Sequence, residues 1–250
     1  MSYLQAYKLS SVIKSAFVMA LRNFQTFFFI YAIPILPIHI IVLFVVSLAE
    51  PSGPEDVVIT SAIVAIIVSI VTAFASFPVT VAVSEICLGI QPSVFRCYRR
   101  AFSHPGRLIG TMLLYSLIVV LGFIALLVPG LILSTWYAFI GPVVVLEAIG
   151  GLKALRRSRE LGRGYYFRNF GIMLLMAVIV AVISFTLTQT LEVSASIVRL
   201  GEAVLLQPLT SLLSIVPAPL GVIGVVLLYY DMRVRKEGYG TTQLAEDIRF

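Results

Sequence analysis

Three carboxylates stand where long apolar stretches of this chain run out: Glu85, Glu147 and Asp231. An acid at the rim of a greasy segment is costly unless something stabilises its charge. Two kinds of chemistry are open to it. It can relay a proton or an ion, or it can pair with a cation and so tie one helix to another. Basic residues are close in sequence to all three acids, among them Arg156 and Arg157 after Glu147 and Arg233 after Asp231. Structural ion pairs among these residues are the expected arrangement, and a proton or ion pathway is the alternative.

His39 is the one titratable group well inside an apolar stretch, and it follows Pro34 and Pro37. Proline has no N–H and disrupts the local helical ladder, so a neutral imidazole here suits a carbonyl that either proline leaves unbonded. A pH-sensing or proton-carrying His39 is the other reading, but no carboxylate shares its depth as a relay partner. His104, beside Pro105 and Gly106, reads as a loop residue. Cys87 and Cys97 are ten residues apart, a spacing of no metal or redox motif, and near a cytoplasmic face they stay reduced. The two histidines and two cysteines make no zinc pattern, so neither a metal nor a cofactor is expected.

Catalytic signatures are equally thin. Ser194 and Ser196 have no His or Asp nearby in sequence to activate them. Gly162-Arg163-Gly164 lacks the lysine and serine of a phosphate loop, and no strand precedes it, so its glycines read as a helix end. The expectation is a protein that is not an enzyme.

The elements that position these residues follow from composition. The 250 residues are 60% hydrophobic and 12% charged, with a mean hydropathy of +1.04, whereas soluble domains are about a quarter charged. Runs free of Asp, Glu, Lys and Arg extend over Asn23 to Ala49, Val57 to Ser84, Leu108 to Leu146, Asn169 to Leu191 and Ala203 to Tyr230. Crossing a bilayer takes about 20 residues, so four of these runs are single spans. The third would make a helix of roughly 58 Å, and Pro129-Gly130 near its middle is a turn dipeptide. Six spans result.

Of the 18 Lys and Arg residues, all but Arg199 fall before span one, between spans two and three, between spans four and five, or in the tail. With six spans these segments share one side, and the positive-inside rule makes that side the cytoplasm, with both termini there. Nucleic acid is not an expected partner of a net charge of +6 divided among short membrane loops. The first 22 residues do not read as a cleavable signal, because Lys8, Lys14 and Arg22 interrupt their apolar residues.

Each odd-numbered span is preceded by a short basic amphipathic segment. Leu9, Ile13, Phe17 and Leu21 recur at helical spacing in the first, Val94, Tyr98, Ala101 and Phe102 in the second, and Leu152, Leu155 and Leu161 in the third. Such helices lie in the membrane interface, where Arg22, Arg96, Arg99, Arg100, Arg163 and Arg168 would meet anionic headgroups of the cytoplasmic leaflet. The triplet Arg22-Asn23-Phe24 returns as Arg168-Asn169-Phe170. Three approximate repeats are therefore read, over residues 1–90, 91–150 and 151–236, within a single integral membrane domain of residues 1–250. Residues 237–250 form a cytoplasmic tail. The fold class is all-α, six transmembrane helices in three hairpins, each preceded by a basic interfacial helix.

Two segments also carry a resemblance. Val128-Pro129-Gly130-Leu131, then Pro142 to Glu147, then Ala154 to Ser158 with Leu161 to Gly164, resemble the central signature of the glycerophosphoryl diester phosphodiesterase membrane-domain family of bacterial integral membrane proteins. Leu227 to Gly238 is similar to that family's closing motif. The resemblance implies a six-span bacterial inner-membrane domain. It implies no phosphodiesterase activity, because the chain has no room for the catalytic barrel and its metal-binding acids. The functional expectation is a scaffold, a lipid-contacting module or an accessory subunit with protein partners in a larger membrane complex, and the alternative is a small-solute or proton-coupled transporter.

Overall fold

The computed structural model describes residues 9–49, 54–197, 213, 216–240 and 243, and the elements these form are all helices, without a strand among them. In chain order the helices are α1 (Leu9–Arg22), α2 (Phe24–Ala49), α3 (Pro54–Cys87), α4 (Val94–Ala101), α5 (Pro105–Ala125), α6 (Leu127–Trp136), α7 (Ile140–Leu146), α8 (Gly151–Gly162), α9 (Tyr166–Ile197) and α10 (Ala218–Glu237). Among the described residues four stretches are long and apolar enough to cross a membrane: Ile66–Cys87, Pro105–Ala125, Leu127–Leu146 and Tyr166–Leu191. A fifth is added if the pair Ser11–Arg22 and Phe24–Ile38, bent by 77°, counts as one crossing. The last expected span, Ala203 to Tyr230, falls partly outside the described residues.

The three basic amphipathic segments are the helices α1, α4 and α8. Each buries one face: Val12, Ala16 and Met19 on α1, Cys97 and Ala101 on α4, and Ala154, Leu155, Ser158 and Leu161 on α8. Packing joins α2 to α3, α5 to α6 and α9 to α10, while α10 also touches α1, α3 and α8. α10 is accordingly buried along most of its length, from Pro219 to Met232.

Proline placement explains the irregular parts. The chain reverses after α5 at Leu126, whose backbone is extended (φ −172°, ψ 157°), and not at the Pro129-Gly130 pair. Pro129 is instead the third residue of α6, where its fixed φ and missing N–H are tolerated. Gly130 serves close packing: a Cβ there would lie 2.5 Å from the Phe123 ring, and one on Gly122 would lie 3.2 Å from the Gly130 Cα. Small residues of this kind let two membrane helices approach.

Between α6 and α7 the helix opens at residues 137–139. Pro142 accounts for the position, since its ring clashes with the carbonyl four residues earlier, that of Ala138. The gap is closed from α8. The Ser158 hydroxyl donates to the Trp136 carbonyl at 3.1 Å and accepts from the Phe139 N–H at 3.2 Å. In α2, Pro34 similarly leaves the Ile30 carbonyl unbonded, and the Tyr98 hydroxyl of α4 donates to it at 2.5 Å.

Candidate functional site

Glu85 and Glu147 lie at the ends of α3 and α7 and Asp231 within the second half of α10, and each meets arginine. Glu85 is buried near the end of α3, where a turn through Gly89 (φ 75°) brings α4 back over it. Arg96 reaches it with one edge of its guanidinium, Nε to Oε1 at 2.8 Å and Nη2 to Oε2 at 3.2 Å, and also donates to the Gln91 carbonyl at 2.7 Å. A fork of this kind matches a planar carboxylate in geometry as well as charge. The Cys97 thiol lies 4.0 Å from the same carboxylate. Burial, and then the negative charge of Glu85, push that thiol up to about 12, so it stays protonated and unreactive at neutral pH. Burial likewise pushes the Tyr98 hydroxyl up to about 12, which keeps it a donor to Ile30.

Asp231 is fully buried in α10 and is held from two sides. Arg168, at the start of α9, contacts Oδ2 at 2.7 Å, and Arg235, one turn further along α10, contacts Oδ1 at 2.9 Å. Both arginine side chains remain about a quarter exposed (27% and 28%), so the cations stay partly hydrated while the acid does not.

Glu147 belongs to a closed ring of groups. Its Oε2 accepts from Arg157 Nε at 2.7 Å; Arg157 Nη2 meets Glu237 Oε1 at 2.6 Å; Glu237 Oε2 accepts from Arg233 Nε at 3.0 Å. Arg233 Nη1 donates to the Tyr229 hydroxyl at 3.1 Å, and that hydroxyl donates to Glu147 Oε1 at 2.8 Å. The ring joins the end of α7 to α8 and to the last two turns of α10. Burial disfavours the Arg157 charge, but its hydrogen bonds and attraction to Glu147 and Glu237 outweigh that and raise it further. Gly238 ends α10 in the left-handed conformation (φ 62°), which glycine adopts without strain. The chain then turns so that Tyr239 lies 3.6 Å beneath the Arg233 guanidinium.

The remaining singled-out residues fall in different settings. Arg156 pairs with Glu160 on the exposed face of α8, at 3.1 Å. Of the expected headgroup contacts, Arg96 and Arg168 face the acids just described. Arg22, Arg99 and Arg163 are exposed, with Arg99 6.0 Å from the Phe95 ring, and Arg100 is half-buried. His39 is in α2, but its side chain lies outside the described residues. Among the described residues no three His, Cys, Asp or Glu side chains come together as metal ligands.

Several participants were not singled out from the sequence. Tyr229 and Tyr230 are both fully buried. Tyr230 donates to Ser84 Oγ at 2.7 Å and so binds α10 to α3. The signal available in the sequence was their position directly before Asp231. Asn169 is buried as well, and its amide has no partner among the described residues.

A cavity of about 540 Å³ opens between α3, α5, α7 and α10, walled by Phe74, Phe77, Met112, Leu113, Pro142 and Val225 among others. Its lining carries no charged side chain, and its hydroxyls include those of Ser76, Ser116 and Thr80, each bonded to a backbone carbonyl of its own helix. Compared with protein-family models, with curated proteins and with solved structures, the chain finds no match in any of the three.

Proposed function

We propose that this chain is a non-catalytic integral membrane protein of the bacterial inner membrane, acting as a scaffold, lipid-contacting module or accessory subunit of a larger membrane complex. The proposal includes six spans in three hairpins, both termini on the cytoplasmic side, and kinship with the glycerophosphoryl diester phosphodiesterase membrane-domain family. One observation supports it above the rest. Glu85, Glu147 and Asp231, the acids most suited to proton or ion chemistry, are each engaged by an arginine from another helix. Groups spent in this way hold helices together and are not presented to a solute.

The test has two parts. Reporter fusions within residues 150–168 should read as cytoplasmic, and the purified protein in liposomes should add no proton or small-solute flux over protein-free vesicles. A flux that Glu147→Gln abolishes while the melting temperature stays unchanged would overturn the non-catalytic reading in favour of a transporter. An extracytoplasmic reporter signal at residues 150–168 would overturn the six-span arrangement.

A further inference from the structure

Two cavities adjoin at the start of α9 and differ in character. One, of about 380 Å³, is lined by Arg156, Arg159, Glu160, Arg163 and Tyr166. The other, of about 370 Å³, is walled by Val128, Leu131, Ile132 and Trp136 of α6 together with Phe167 and Phe170 of α9, and it shares Tyr166 with the first. Of the three arginines, Arg156 is paired with Glu160. Arg159 instead lies 4.2 Å over the Trp136 ring, which fixes its guanidinium at the boundary of the two cavities. Arg163 has no acid within ion-pair distance among the described residues. The cationic character extends to α10, where Lys236 donates to the Glu160 carbonyl at 2.7 Å. Its ammonium is lowered by burial and then by the charge of Arg163. A set of like charges held this closely is relieved by an anion.

The apolar side has the complementary property. Phe167 is 95% exposed and Val128 64% exposed, side chains that water would leave unfavourably solvated and an acyl chain would cover. From this juxtaposition we infer a binding site for one anionic phospholipid, with its phosphate among Arg159 and Arg163 and one acyl chain along the α6–α9 groove. The inference rests on the lipid-contacting reading above and makes it specific. Arginine suits a phosphate because its planar fork gives two parallel charge-assisted hydrogen bonds, and the aromatic edge of Trp136 and Tyr166 suits the level between headgroup and chain.

Trp136 is the only tryptophan of the chain, so its fluorescence reports on this boundary alone. The protein is reconstituted in phosphatidylcholine vesicles and titrated with either phosphatidylglycerol or phosphatidylcholine brominated on an acyl chain. Phosphatidylglycerol should reach half-maximal quenching at a mole fraction about fivefold lower, the preference that one arginine near an anionic headgroup supplies. Arg163→Gln and Arg159→Gln, each normalised to its own unquenched emission, should lose that preference, whereas Arg99→Gln on α4 should keep it. Equal quenching by the two lipids overturns the site while leaving the helices in lipid. Absence of quenching by either overturns the groove and also the placement of this face in the bilayer. If millimolar glycerol phosphate abolishes the preference, the basic cavity takes a soluble phosphate and the lipid assignment falls.

Discussion

α9 and α10 pack against each other and are both apolar over most of their length, yet their surroundings are opposite. Only 11% of the most apolar stretch of α9 is buried inside the protein, whereas α10 is enclosed on nearly every side from Pro219 to Met232. The difference lies in what each helix carries besides aliphatic residues. Leu174, Val178, Val182 and Phe185 of α9 are exposed, as suits lipid. α10 brings Tyr229, Tyr230 and Asp231 into the interior, where each side chain needs a partner and finds one on α3, on α9 or at the end of α7. Apolar residues do not mark the inward face of a membrane helix, because the solvent is apolar too. Its polar residues do.

The strongest way to break this contrast is at Asp231. Asp231→Ala leaves Arg168 and Arg235 facing each other without their acid, and it should destabilise the detergent-solubilised protein by about 4 kcal/mol, read as a large fall in melting temperature. Glu147→Gln keeps the shape but weakens the bonds from Arg157 and Tyr229. A loss of about 2 kcal/mol is expected. Ser158→Ala opens the junction of α6 and α7 by leaving the Phe139 N–H unbonded, and should cost about 1 kcal/mol in the same measurement. On the exposed side of α9 Phe185→Ala should change stability by less than about 0.5 kcal/mol. If Phe185→Ala proves as damaging as Asp231→Ala, α9 is covered by protein and the contrast fails.

The sequence made the amphipathic helices legible, since the cations of α1, α4 and α8 interrupt a clear apolar period. It also showed that the Leu108 to Leu146 run had to fold back, but put the reversal at Pro129-Gly130 because that dipeptide favours turns. Proline suits the first turn of a helix equally well, and the extended residue turned out to be Leu126. That the Ile30 carbonyl would need a new partner was within reach of the sequence, as Pro34 stands four residues beyond it, and so was a break before Pro142, although Ser158 answers there at the Phe139 N–H and the Trp136 carbonyl and not at the Ala138 carbonyl. What could not be read was which side chain would answer, because that depends on packing between segments distant in the chain. The same limit applied to Arg157: its proximity to Glu147 was visible, but the ring closed by Glu237, Arg233 and Tyr229 was not.

A double-mutant cycle on Glu147 and Arg157 tests the central claim most directly, that these acids act as clasps between helices. Melting of Glu147→Gln, Arg157→Gln and the double variant in one detergent should give a coupling energy of at least about 1 kcal/mol, the double variant losing less than the sum of the singles. Strictly additive losses would contradict the account.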